Sequence, residues 1–301
     1  MGGSRASQLA LPASLQGPAN SLWLLVAVSR PLGWFIGPAF LLAGMVYAGL
    51  HPLSAPTPIL LLALFSFLFP STLLIFGVND IHDIVSDRLN PRKRNGLYGV
   101  RLSPSRIPFL RRACLISAVF ILAVSLLSLN LQTAALTLVL VLLAYFYSAP
   151  PVRLKERPVL DSLSNGALFF LIFLCGYSYG QDIFSAPTRF LWACLAISGV
   201  HALGAVMDFE SDLRSGQRTI ATWLGQRQAA LFAALLCLLA LLFSSFSNPL
   251  VPLSISFCMA AALAVAAFPR LAWLAFRLIF AESFLAILAV AWLYLATGQL
   301  P

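Results

Sequence analysis

Residues 58–87, PILLLALFSFLFPSTLLIFGVNDIHDIVSD, run from an apolar segment straight into a group of acids. The part from Pro58 to Phe76 reads as membrane-embedded, because about 20 apolar residues in helical form span the hydrocarbon core of a bilayer. If the helix continues to its end, Asp80, Asp83 and Asp87 fall at i, i+3 and i+7 and share one face, with Asn79 beside them. The whole chain of 301 residues has ten acids, so three on one face at a membrane boundary is a concentrated charge. Such a cluster is retained where something cationic neutralises it. A divalent metal holding a polyphosphate suits it, since Mg²⁺ takes one or two carboxylates together with substrate phosphates.

Working outward, 60% of the residues are hydrophobic and 10% charged, and mean hydropathy is +0.91, the composition of an all-α polytopic membrane protein. Apolar runs recur near 22–48, 58–78, 108–129, 132–148, 160–180, 189–207, 229–247, 250–268 and 271–296, which predicts about nine transmembrane helices. The first 21 residues are polar, rich in Gly, Ser and Pro, and are expected to form a disordered cytoplasmic tail; residues 22–301 are expected to form one transmembrane domain. A cleaved signal peptide is not expected, because the first apolar run is interrupted by Arg30-Pro31 and then continues to spanning length. Five cysteines scattered through apolar runs, without C-x-x-C spacing, read as small core residues rather than zinc or disulfide ligands.

The net charge of +9 raises the possibility of nucleic acid, but the positions of the cations favour membrane topology. Arg88, Arg92, Lys93, Arg94, Arg101, Arg106, Arg111 and Arg112 follow the second run, Arg153, Lys155 and Arg157 the fourth, and Arg214, Arg218 and Arg227 the sixth, while the opposite loops hold only Arg189. The positive-inside rule then puts the N-terminus and these connections in the cytoplasm, and nine helices put the C-terminus outside. The expected location is a bacterial or archaeal cell membrane, with no nucleic-acid partner.

Two further constellations lie on that same predicted side. Asp208 and Asp212 are an i, i+4 pair at the end of the sixth run, followed by Arg214 and Arg218, a short echo of the first cluster. Facing each other across a cavity, the two clusters would hold Mg²⁺ ions that bridge one diphosphate and stabilise it as a leaving group. Read blandly, both are solvated caps and loop acids at a membrane boundary. Tyr147-Ser148-Ala149-Pro150-Pro151-Val152-Arg153-Leu154-Lys155 ends the fourth run at its prolines and presents a phenol, a hydroxyl and two cations. Arg and Lys there would grip diphosphate oxygens, or else form an ordinary positive-inside loop.

Together, N-D-x-x-D-x-x-x-D (Asn79 to Asp87), Y-S-x-P-P-x-R-x-K (Tyr147 to Lys155) and D-x-x-x-D (Asp208 to Asp212), with Arg30-Pro31 in the first run, resemble the UbiA superfamily of intramembrane prenyltransferases over about residues 22–297. The resemblance implies a nine-helix bundle around a central cavity that is open to lipid and capped on the cytoplasmic side. It implies a Mg²⁺-dependent transfer from a prenyl diphosphate, whose ionisation gives an allylic cation attacked by an electron-rich acceptor. Carried over, Asn79, Asp80, Asp83, Asp87, Asp208 and Asp212 would be the metal set, with Asp80, Asp83, Asp208 and Tyr147 catalytic. Arg153, Lys155, Arg30 and Ser148 would bind the diphosphate, and Tyr147 would help to shield the cation.

The segment Asp208 to Gly225 reads D-x-E-x-D-x-x-x-G-x-x-T-x-A-T-x-L-G, and with Asn90 to Lys93 and Lys155 to Asp161 it is most similar to the lycopene elongase branch. That branch adds dimethylallyl units to the ends of lycopene, toward C50 carotenoids. Aromatic-acceptor branches (4-hydroxybenzoate, naphthoate, homogentisate) and the tetrapyrrole and glycerol-lipid branches share most of the remaining pattern. A rival of another class is an ion or lipid transporter, which would place acids deep within several helices rather than at helix ends beside cations. His82, His201, and Glu282 with its neighbour Arg277 carry no assigned role at this level; His201 would either line the cavity or bond a neighbouring helix.

Overall fold

The computed structural model describes residues 18–52, 57–90, 93, 99–244 and 249–297, so the expected tail lies, as far as residue 17, outside the described residues. Among the described residues eight helices are long and apolar enough to cross a membrane, and a ninth span is a bent pair. In order, α1 is Pro18–Val28, α2 Ile36–Tyr47, α3 Pro58–Leu68, α4 Pro70–His82, α5 Ile84–Leu89, α6 Ile107–Leu127 and α7 Leu131–Ser148. Then come α8 Leu160–Tyr177, α9 Leu191–Ser215, α10 Ile220–Leu224, α11 Gln226–Phe243, α12 Leu250–Ala267 and α13 Ala272–Thr297.

Three local features of these elements shape the site. The first run is two helices meeting at 47°, because Pro31 offers no amide proton and excludes the helical conformation from the residue before it; Arg30 is left-handed at φ 54°. The condition for Asp80, Asp83 and Asp87 to share one helical face, a helix continuing through all three, is not met. Instead α4 stops at His82, Asp83 takes φ −110° and ψ 15°, and α5 restarts at Ile84. Apolarity in the sixth run ends near 207, and α9 carries on through Asp208 and Asp212, in keeping with their i, i+4 spacing, to Ser215, where left-handed Gly216 (φ 74°) caps it.

Among the described residues the bundle has two large apolar cores, beside a small third cluster of Ala48, Phe173, Tyr177 and Phe190. One gathers residues of α1 to α4 with α6, α7 and α8, and the other those of α9 to α13. They join where α8 packs against α2 on one side and α9 on the other. Small residues set those approaches, since helix association within a membrane relies on close van der Waals packing. A Cβ on Gly176 would lie 2.0 Å from the Leu41 carbonyl oxygen of α2, and one on Gly166 2.2 Å from the Cys194 carbonyl oxygen of α9. Facing outward, Leu115, Ile116, Leu242 and Trp292 are exposed, as a surface bathed in lipid tails requires.

Candidate active site

The site is assembled at one end of the bundle from the junction of α4 and α5, the turn after α7, and the C-terminal end of α9. Asp80 is fully buried on the last turn of α4, and Asp87 is buried on α5. Both carboxylates accept from the Lys93 ammonium, Asp87 Oδ2 at 2.7 Å. Arg30 stands 3.6 Å from Asp80, its guanidinium 4.0 Å over the Phe76 ring, a position the left-handed break in the first span gives it. Asp83 turns elsewhere, to Lys155 and to Arg153 Nη2 at 3.2 Å. The three acids therefore divide between two groups of cations instead of forming one stripe. At low dielectric, separate partners relieve the repulsion that a common face would impose, which explains the break at Asp83.

The turn that brings those cations begins at Pro150-Pro151, passes through left-handed Arg153 (φ 46°) and forms a 3-10 turn over Leu154–Glu156. Arg153 also pairs with Glu156 at 2.8 Å. Burial pulls the Lys155 ammonium below its ordinary value, and the Asp83 carboxylate opposes that shift. Burial likewise pushes the Asp87 carboxyl up to about 6, with Lys93 pulling it down and Asp80 adding to the rise. Asn79 Nδ2 donates to the buried Ser148 Oγ at 3.4 Å, joining α4 to the end of α7.

The second acidic motif meets the first through two amides. Asn90 Nδ2 donates to Asp208 Oδ1 at 3.3 Å, and Gln217 Nε2 donates to Asp83 Oδ1 at 3.3 Å and to Ser86 Oγ at 2.9 Å. Asp212 is buried one turn beyond Asp208. Behind it, buried Asp161 at the start of α8 accepts from the Ile220 amide at 2.7 Å, fixing α10 and the loop that carries Gln217. Every residue expected at the site lies within this region. Lys93, Asn90 and Gln217 belong to it as well, and the sequence reading did not assign them. Lys93 stood as one of several cations after the second run and as the end of the segment Asn90 to Lys93, with no role assigned to it at the site.

Among the described residues no three His, Cys, Asp or Glu side chains stand together as a ready-made metal cluster, because the carboxylates face cations. The donor set nevertheless fits a hard divalent ion, being carboxylate and amide oxygens. Asp80 Oδ2 is buried with no hydrogen-bond partner, an oxygen that an ion would satisfy. His82 makes none of the described hydrogen bonds. His201, on α9, accepts or donates at 2.7 Å with the Tyr147 hydroxyl. Far from this end, Ser254 of α12 donates to Glu282 of α13 at 2.5 Å.

The chain is similar to known proteins in both sequence and fold. The model of the UbiA prenyltransferase family matches residues 35–283. A lycopene elongase/hydratase of Haloarcula japonica is 31% identical over 227 residues, covering 75% of this chain and 76% of its own. One from Corynebacterium glutamicum is 32% identical over 234 residues, covering 75% and 78%. A UbiA homolog from Archaeoglobus fulgidus, solved bound to DMAPP and Mg²⁺, shares the fold with a TM-score of 0.62 at 20% identity, over 88% of this chain and 99% of that one. The chain belongs to the UbiA prenyltransferase family and is an integral membrane prenyltransferase.

Proposed function

We propose that the protein transfers a dimethylallyl group from dimethylallyl diphosphate to the terminal alkene of lycopene, extending it by five carbons. The observation that carries the reaction class is the meeting of two acidic motifs with Arg30, Lys93, Arg153 and Lys155 at one end of an apolar bundle. Carboxylates beside cations suit a metal-bound diphosphate better than a permeating ion. The acceptor rests on the relatives named lycopene elongase/hydratase and on the segments Asn90–Lys93, Lys155–Asp161 and Asp208–Gly225.

In this reading Asn79, Asp80, Asp83 and Asp87 with Asp208 and Asp212 hold Mg²⁺, which when bound neutralises the departing diphosphate. Arg153 and Lys155 bind diphosphate oxygens from the turn after α7, Arg30 from the break in the first span, and Ser148 from the end of α7. Tyr147 lies below them and shields the allylic cation from capture. The alkene π electrons attack that cation, leaving a tertiary cation on the acceptor. The buried surroundings strengthen each electrostatic contact and keep bulk water from the reactive carbon. The basic connections put this end of the bundle in the cytoplasm, where soluble diphosphates are available.

Expression in a lycopene-producing host, with pigments resolved by mass, tests the reading. Lycopene should gain one or two five-carbon units, and Asp80→Ala, Asp83→Ala or Asp208→Ala should abolish the gain while the protein still inserts. Unchanged lycopene with normal membrane expression would discard the polyene acceptor. Full activity in two of the three variants would discard the metal set.

A further inference from the structure

A hydrogen-bonded chain leads inward from the site to a buried carboxylate. Tyr147 Oη lies 2.7 Å from His201 Nε2, His201 Nδ1 lies 3.4 Å from Ser162 Oγ, and Ser162 Oγ donates to Asp161 Oδ1 at 3.3 Å. Tyr147, Ser162 and Asp161 are buried and His201 is half-buried. The chain draws on α7, α8 and α9, so it is a tertiary arrangement rather than a local cap.

Its polarity follows from its last member. An ionised Asp161 only accepts, so the Ser162 hydroxyl points toward it and leaves its oxygen to receive a proton from His201 Nδ1. Nδ1 then carries the hydrogen, Nε2 is a bare lone pair, and the Tyr147 hydroxyl donates to it. A carboxylate that fixes the imidazole tautomer through a bridging group is how a histidine is set to accept a proton.

Its position is equally specific. Asp208 and Asp212 lie 7 and 11 residues beyond His201 on α9, which at 100° per residue puts all three within about 20° of one face. His201 sits about 10 Å further along the axis than Asp208. It therefore lies beneath the acids that would hold the diphosphate, on the side toward the apolar bundle. Asn79, bonded to Ser148 beside Tyr147, ties the same level to the first motif.

We infer that Tyr147 and His201 form the proton acceptor that ends the reaction, oriented by Ser162 and Asp161. This rests on the prenyl-transfer reading, which leaves a tertiary cation on the acceptor. A C–H bond next to that cation breaks, and its electron pair becomes the new C=C bond. The proton passes to Tyr147 Oη while the Tyr147 hydroxyl proton moves to His201 Nε2, and the imidazolium loses its proton to water between turnovers. If water adds to the cation instead, its oxygen forms the new C–O bond and its proton follows the same route. Either ending needs a base, and this pair supplies it.

Two variants and one spectrum test the inference in the full-length protein in detergent. His201→Gln keeps an oxygen that accepts from Tyr147 yet cannot hold the transferred proton. Its kcat for elongated product should fall at least about 100-fold, the lower end of what a positioned general base contributes, with the donor KM within threefold of the parent. A merely structural hydrogen bond would be restored by glutamine, and product formation near the parental rate would overturn the inference. Independently, ¹⁵N-histidine NMR should find His201, one of three histidines and identified by its loss in His201→Gln, as the Nδ1–H tautomer. Tyr147→Phe should shift its Nε2 resonance. An Nε2–H tautomer, or no response to Tyr147→Phe, would refute the chain. That spectrum requires no substrate, so it decides the relay even if the acceptor proves not to be lycopene.

Discussion

Replacing Lys93 with methionine removes one charge from between two buried carboxylates and leaves a side chain of similar length. The Lys93 side chain is 2% exposed, and those of Asp80 and Asp87 are 0% and 8% exposed. Water can therefore replace little of what the ammonium provides. Taking one partner from a buried ion pair costs about 3–5 kcal/mol, because the remaining charge is left in a poor solvent. Arg30 remains 3.6 Å from Asp80 and offsets part of this, so the low end, about 3 kcal/mol, is expected. At roughly 2–4 °C per kcal/mol for a larger domain, thermal melting in detergent with EDTA at pH 8 should fall by about 6–12 °C.

The loss should depend on pH in a defined direction. Burial already raises the Asp87 carboxyl to about 6, above its unfolded value, so the folded state binds the extra proton. Without Lys93 that rise grows, and the gap between variant and parent should narrow as pH drops from 8 toward 5. On the metal set proposed above, Mg²⁺ would supply positive charge at the same acids. At about 100 times its dissociation constant it would return about 2.7 kcal/mol, most of the deficit. A Lys93→Met protein that melts within 1 °C of the parent in EDTA at pH 8 would refute the claim that Lys93 holds these two acids.

Other perturbations address the rest of the assembly. Gln217→Ala removes the amide that joins Asp83 and Ser86 to the loop after α9. A hydrogen bond to a charged group is worth about 1.5–3 kcal/mol, so the donor KM should rise about tenfold or more in steady-state kinetics. An unchanged KM would make that contact incidental. Gly176→Leu places a Cβ where Leu41 carbonyl oxygen stands 2.0 Å away, and should separate α8 from α2. The expected outcome is loss of the monodisperse peak in detergent size-exclusion chromatography; a normal elution profile would contradict the packing described between those helices.

Much of the architecture was legible in the chain because the forces that select it act along the chain. Transfer of apolar residues into lipid is a sum over consecutive positions, so eight of the spans appear at nearly the expected places. Proline acts on its own residue and the one before it, so the interruption at Arg30-Pro31 was visible too, though not the 47° bend it produces. The i, i+4 spacing of Asp208 and Asp212 likewise put both on the end of α9, though it did not show the last turn to Ser215 before left-handed Gly216.

At the site, the sequence by itself determined the chemical inventory: two acidic motifs, a Tyr-Ser-Pro-Pro turn with its cations, and the face of the membrane they share. Only the tertiary structure decided the pairings. Lys93 rather than another nearby cation takes Asp80 and Asp87, Asp83 leaves its neighbours for Arg153, Lys155 and Gln217, and His201 meets Tyr147 across 54 positions of sequence. Charge interactions depend on distance and on the local dielectric, and neither is written in residue order. The spacing of three aspartates could therefore identify the chemistry, while the partners that hold them apart emerged only once the helices had packed.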